Sequence, residues 1–188
     1  MPDSLTDLPL TWILIRATGV AAWGLLTAVV VWGILSRWLV RDVRPAARAI
    51  SLHRWLGTLS LVLVVIHMGL LLIDPVVPFT AVQVLIPLAA PWHPVEVALG
   101  SVAFWLIVSA WAVGRMRRRL GPRWFPVVHA FAYGAWPLAT IHYVLAGTDA
   151  LASWSIGLLI AGTAVVALAL LTFAWAPAGD TEPSHRGR

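Results

Sequence analysis

The chain has 188 residues, 60% of them hydrophobic and only 11% charged, with a mean hydropathy of +0.86. A soluble domain of this length needs far more charge to cover its surface, and several apolar runs reach the roughly 20 residues that span a bilayer as a helix, so a soluble globular fold is excluded. The formal charge is +5 and the pI near 11.3, yet the basic residues sit between apolar runs, where the positive-inside bias of membrane proteins accounts for them without a nucleic-acid partner.

The pattern predicts an all-α integral membrane bundle of five transmembrane helices, domain 11–176. A short outer segment, 1–10, precedes it. The first span, 11–36, is too long for a signal-peptide core and has neither a basic stretch ahead of it nor a small-residue cleavage site behind it, so it is read as retained. The second span covers 52–73. The loop 74–94 is Pro-rich yet apolar, too short and too broken to be another span, and reads as a short interfacial helix or a lid over the outer end. Spans at 95–114, 125–146 and 152–176 follow. The tail 177–188 has a disordered composition.

Orientation follows from the arginines, which make up all 13 basic residues. Arg37, Arg41, Arg44, Arg48 and Arg54 lie between the first two spans. Arg115, Arg117, Arg118, Arg119 and Arg123 lie between the third and fourth, and Arg186 and Arg188 end the tail. The opposite side carries Arg16 beside Asp3, Asp7, Asp74, Glu96 and Asp149. The N-terminus is therefore expected outside and the C-terminus inside a bacterial cytoplasmic membrane. Trp12, Trp92 and Trp154 fall at the outer boundaries and Trp38, Trp55, Trp111, Trp124 and Trp175 at the inner ones, as interfacial indoles do.

With no cysteine, disulfides, Fe–S clusters, thiolate zinc sites and covalently attached c-type haem are removed together. The histidines carry the chemistry instead. The second span holds His53 and His67, fourteen apart, and the fourth holds His129 and His142, thirteen apart. These spans run in the same direction, so His53 and His129 share the inner depth while His67 and His142 share the outer one. Two imidazoles at matching depth on facing helices clamp one haem iron, and two levels make two b-type haems about 21 Å apart by helical rise.

The phase is uneven. Fourteen residues return to within about 40° of the starting face, whereas thirteen end about 140° away, and Pro137 is the feature able to rewind the fourth helix. Interhelical hydrogen bonding by the histidines, without any cofactor, is the competing reading. A single tetrahedral metal site is disfavoured because the levels lie too far apart for one ion.

The segments "LHRWLG" and "VIHMGLLLID" on the second span, "VHAFAY" and "IHYVLAGTD" on the fourth, and "RATG" on the first resemble the ferric reductase-like transmembrane domain. Ferric reductases, NADPH oxidases and the membrane subunit of a bacterial methionine sulfoxide reductase system share that domain. The likeness runs from about Arg16 to Asp149. It implies ligand roles for His53, His67, His129 and His142, two haem b groups, and electron transfer across the membrane. Family oxidases continue into a cytoplasmic FAD and NADPH domain and have six spans. Here a donor is expected to be a separate cytoplasmic flavin-dependent reductase or membrane quinol, and the acceptor ferric iron, oxygen, a periplasmic redox protein or a quinone.

Several neighbours have two readings each. Arg16 either snorkels to the outer surface or pairs with propionates of the outer haem. Arg54 and Arg123 serve the inner haem or are ordinary positive-inside charge. Trp136, with Tyr133 and Phe131, packs between the ligand levels or bridges them electronically. Asp74 and Asp149 terminate helices, pair with Arg16 or deliver protons. His93, in "PWHP", is a solvated loop residue or lines an outer substrate site. Two alternatives stay open for the whole chain: a quinol-coupled cytochrome b subunit of a larger complex, and a haem-free transporter or anchor.

Overall fold

The computed structural model of the chain describes residues 10–39 and 43–174. The expected outer segment with Asp3 and Asp7, Arg41, Trp175 and the tail with Arg186 and Arg188 lie outside the described residues, as do the side chains of Arg37, Trp38 and Arg44. The described residues form helices joined by turns, bends and irregular loops, with no strand among them. Helix α1 spans Leu10–Leu39, α2 Val43–Leu71, α3 Ala81–Leu85, α4 Pro94–Arg115, α5 Arg117–Ala130, α6 Ala135–Ala146 and α7 Ser153–Ala174.

Among the described residues, four helices are long and apolar enough to cross a membrane: Leu10–Ser36, Ala47–Leu71, Pro94–Arg115 and Ser153–Thr172. The stretch expected as the fourth of five spans, 125–146, is helical but divided. It begins within α5, passes through a 3-10 turn at Phe131–Gly134, and ends as α6, which has 12 residues. Pro137 explains the break. It has no N–H to offer the carbonyl four residues back, so regular α-helical bonding fails through the preceding turn. A second break sits at Gly121, whose φ of 70° is open chiefly to glycine, with Pro122 starting the next helical stretch. Helix α2 starts about nine residues earlier than expected, because Pro45 is tolerated in a first turn and the Ala- and Arg-rich run behind it favours helix.

Packing joins α1 to α2 and α4 to α6 most extensively. Helix α2 also meets α4 and α1 meets α6, which closes a ring of four, while α7 packs outside against α1. Many large aliphatic side chains of α7 face outward, Leu168 and Ile160 among them. In water each would forfeit roughly 1.5–3 kcal/mol of burial, which lipid removes as a cost. Where the loop 74–94 crosses the end of the ring, Phe79, Val84 and Ala90 form a buried cluster against Met68, Leu71 and Val97. Thr80 and Gln83 close α3 with a capping box. The loop therefore contains the short helix and also covers the bundle.

In lipid, helices gain little from apolar contact and rely on close packing and hydrogen bonds. A reciprocal pair of such bonds ties α1 to α6. Trp23 Nε1 donates to Thr140 Oγ1 at 2.9 Å, and Trp136 Nε1 donates to Thr27 Oγ1 at 2.9 Å. Each threonine hydroxyl in turn donates to the carbonyl four residues before it, Thr140 to Trp136 and Thr27 to Trp23. The double variant Thr27→Val, Thr140→Val keeps side-chain volume while stranding both indole N–H groups. It is expected to lower unfolding stability in detergent by about 1–2 kcal/mol, and an unchanged unfolding midpoint would show that the clasp contributes nothing.

Candidate functional site

Among the described residues, the ring of helices borders two open-sided cavities, one toward each end. The basic-end cavity, about 820 Å³, is lined by His53 and His129 with Arg54, Arg115 and Gly114. The acidic-end cavity, about 1490 Å³, is lined by His67 and His142 with Arg16, Asp74 and Asp149. His53, His67, His129 and His142 are thus brought together in the two pairs that the sequence intervals suggested. His53 and His129 have ring centroids 6.1 Å apart at an interplanar angle of 73°.

The fourth-span phase problem has a local answer. A 3-10 turn advances about 120° per residue against 100° in an α-helix, so the four residues Phe131–Gly134 add roughly 80°. The thirteen-residue mismatch falls from about 140° to about 60°, close to the value for the fourteen-residue interval on α2.

Each histidine but one rests on a glycine of the neighbouring helix. A Cβ at Gly19 would lie 3.0 Å from His67, one at Gly33 3.2 Å from His53, and one at Gly100 2.9 Å from His142. The ring Nδ1 then reaches the carbonyl four residues before that glycine. His67 Nδ1 bonds Ile15 O at 2.9 Å, and His142 Nδ1 bonds Glu96 O at 2.7 Å. The Val29 carbonyl holds the same position beside His53, outside hydrogen-bond geometry, and His53 Nδ1 is buried without a partner. The fourth member of the pattern is open. Gly114 has nothing within 4 Å of its Cβ position, while Ala110, four residues earlier, lines the cavity with His129. His129 stacks on Phe125 at 5.1 Å, and its Nδ1 too is buried and unpartnered.

These contacts have a chemical consequence. A carbonyl only accepts, so wherever Nδ1 bonds one it must carry the proton, and Nε2 is left with a lone pair. That is the state in which imidazole ligates a metal, and a backbone acceptor on the far nitrogen is the usual way its orientation is held.

The remaining expected residues divide. Arg16 lines the acidic-end cavity, forms an ion pair with Asp149, and stacks over the Trp12 ring at 4.0 Å. Its Nε is buried without a partner. Buried Asp74 accepts from Thr11 Oγ1 and from Val77 N, each at 3.1 Å, and so ties the start of α1 to the loop after α2. Arg54 lines the basic-end cavity, as does Tyr133, whereas Arg123 lines neither cavity. Trp136 also lines neither, and packs on the cluster of Leu26, Ile107 and Ala135. Leu26 and Ile107 line both cavities, so the partition between the two levels is aliphatic.

Two features escaped the sequence reading. Arg115, expected only as loop charge, lines the basic-end cavity with its guanidinium 3.5 Å from the Trp111 ring centroid. The glycine cradles were legible in one respect, because Gly19 and Gly33 are fourteen apart, as are Gly100 and Gly114, echoing the histidine interval.

Comparison with known families matches residues 18–140 to a family model described as ferric reductase like transmembrane component. Neither the curated proteins nor the solved structures give a match.

Proposed function

The chain belongs to the ferric reductase-like transmembrane family, and from that premise we propose that it carries single electrons across the bilayer through two b-type haems. One is held by His53 and His129 near the cytoplasmic face, the other by His67 and His142 near the outer face. The arginine-rich end faces the cytoplasm, the α5–α6 stretch is the fourth of five crossings, and the N-terminus lies outside in a bacterial cytoplasmic membrane.

The observation that carries this reading is the repeated cradle: histidine against glycine, Nδ1 toward the carbonyl four residues earlier. Interhelical hydrogen bonding alone would account for Nδ1, but not for a second imidazole across each cavity. The His53 and His129 rings, with centroids 6.1 Å apart, lie close enough for one metal ion between them to reach a nitrogen of each at about 2 Å. Three of the four buried side-chain atoms left without partners among the described residues, Arg16 Nε, His53 Nδ1 and His129 Nδ1, belong to residues this reading puts around the haems.

Haem b supplies a one-electron iron couple at each level. The protein's residues do the rest. His53 and His67 of α2, His129 of α5 and His142 of α6 would supply the ligands that hold the iron, and glycines let three of the four rings approach the facing backbone. Arg54 and Arg115 at one mouth, and Arg16 at the other, offer guanidinium N–H groups to propionate carboxylates. Leu26 and Ile107 keep water out of the gap between levels. Electrons enter from a cytoplasmic flavin-dependent reductase docking on the arginine-rich end and leave to an outer acceptor.

A reduced-minus-oxidised absorption spectrum of purified protein, with haem counted per chain, tests the proposal. The expected result is a b-type signal at two haems per chain. Protein made with ample haem that purifies colourless would overturn it in favour of a transporter or anchor.

A further inference from the structure

Three imidazoles sit in matching seats, and a fourth seat stands open beside its histidine. Helices α1 and α2 run antiparallel, and fourteen residues forward from Gly19 and fourteen back from His67 lead to Gly33 and His53, the second contact between them. The α5–α6 stretch lies along α4 in the same way, with α5, the 3-10 turn and α6 each packed against it. Fourteen residues forward from Gly100 and thirteen back from His142 lead to Gly114 and His129. The register therefore presents Gly114 to His129, and the carbonyl four residues before that glycine belongs to Ala110. Both residues line the basic-end cavity with His129.

His129 does not occupy that seat. Nothing lies within 4 Å of a Cβ position at Gly114, and the His129 ring is stacked on Phe125, one turn earlier on α5, with centroids 5.1 Å apart at 17°. Its Nδ1 is buried without a partner. An imidazole nitrogen left unpaired in a buried place is costly, whereas a carbonyl that accepts from it removes the cost and fixes the proton on Nδ1. Little packing holds the segment that carries both rings. Helix α5 has no buried residue, and it lies between the break at Gly121, where φ is 70°, and the 3-10 turn at Phe131–Gly134.

We infer that Gly114 and the Ala110 carbonyl are the working seat of His129. As the basic-end level closes, the imidazole leaves Phe125, rests on Gly114 and donates its Nδ1 proton to Ala110 O, which keeps the Nε2 lone pair free as a ligand. Gly114 is then a positioning residue, and Phe125 competes with it for the ring. The assignment rests on the haem reading above and deepens it. The acidic-end level is preformed, with both of its Nδ1 atoms already bonded, whereas the basic-end level is completed only on loading.

The test uses the full chain in nanodiscs with His142→Ala, so that on the haem reading the basic-end level alone remains, and haem is titrated into protein made without it. Gly114→Leu is expected to weaken binding ~10-fold or more, the scale of an overpacked contact. Gly24→Leu, at an equally open position, is expected to match its parent. A leucine at Gly114 also narrows the cavity, so Phe125→Ala provides the separate reading. Phe125 does not line the cavity. Its truncation is expected to tighten haem binding roughly 3-fold, the scale of one aromatic stack, whereas a purely structural Phe125 predicts weaker binding. Unchanged or weaker binding in Phe125→Ala overturns the proposal, and so does unchanged binding in Gly114→Leu.

Nitrogen-15 NMR of histidine-labelled protein, with His142 restored and no haem added, reads the seat by itself. His129 is expected to gain in Phe125→Ala the protonated, hydrogen-bonded Nδ1 signature shown by His67 and His142, and to lose it again when Gly114→Leu is added. That pattern in a chain that takes up no haem sinks only the haem reading. No such signature in Phe125→Ala sinks the seat.

Discussion

On the two-haem proposal, the His142→Ala variant is expected to bind one haem per chain against two in the wild type, and His53→Ala is expected to lose the other. Each cavity brings one histidine of α2 opposite one of α6 or α5, and each level needs both. Removing one histidine leaves a lone imidazole facing that cavity, which on this proposal is too little to hold a haem. The pairing itself is read from double variants. His53→Ala combined with His129→Ala should lose no more haem than either alone, because both act on one level and their effects cannot add. His53→Ala combined with His142→Ala should leave none. Haem stoichiometry by pyridine haemochrome on purified protein decides the matter. Additive loss within the His53–His129 pair would show that the ligands are matched otherwise.

The second large effect is expected at the glycines. A Cβ at Gly100 would stand 2.9 Å from both Cε1 and Nδ1 of His142, closer than real Cβ contacts allow, and Gly19 is nearly as tight against His67. Overpacking of this kind ordinarily costs about 1–3 kcal/mol. Here the side chain being pushed is a proposed ligand, so displacement is read as cofactor loss. Gly100→Leu is expected to empty the acidic-end level while leaving the basic-end haem in place. Gly24→Leu serves as the control, since nothing lies within 4 Å of its Cβ position. Membrane insertion and yield should match wild type in both variants. Two haems retained in Gly100→Leu would show that the close approach of His142 to α4 is incidental.

How much of the site was visible in the residues can be followed histidine by histidine. Depth was visible: the fourteen- and thirteen-residue intervals on two helices entering from the same side predicted the partners that the cavities bring together. Facing direction on α2 was visible too, since a regular helix carries phase over fourteen residues with little error. It was not visible on the α5–α6 stretch. Pro137 marked the trouble, but the correction comes from four residues of 3-10 turn upstream of it. Arg123 and Arg115 show the same limit among the charges. Both flank the α4–α5 junction, yet the one that turns into the cavity is set by the stacking of its guanidinium on Trp111.

The sequence by itself determined that this is a multi-pass helical membrane protein, the approximate extent of its apolar runs, and the depth of each histidine. Hydropathy is a local sum, and position along a helix rises almost linearly at about 1.5 Å per residue, so neither needs knowledge of distant contacts. The tertiary structure alone decided which glycines His53, His67 and His142 rest on, which carbonyls fix the tautomers of His67 and His142, that Leu26 and Ile107 form the partition, and that Arg16 pairs with Asp149. Those depend on the rotation of each helix about its axis and on which helices become neighbours. Rotation accumulates every departure from 100° per residue, and neighbours are chosen by packing and hydrogen bonds between segments far apart in the chain.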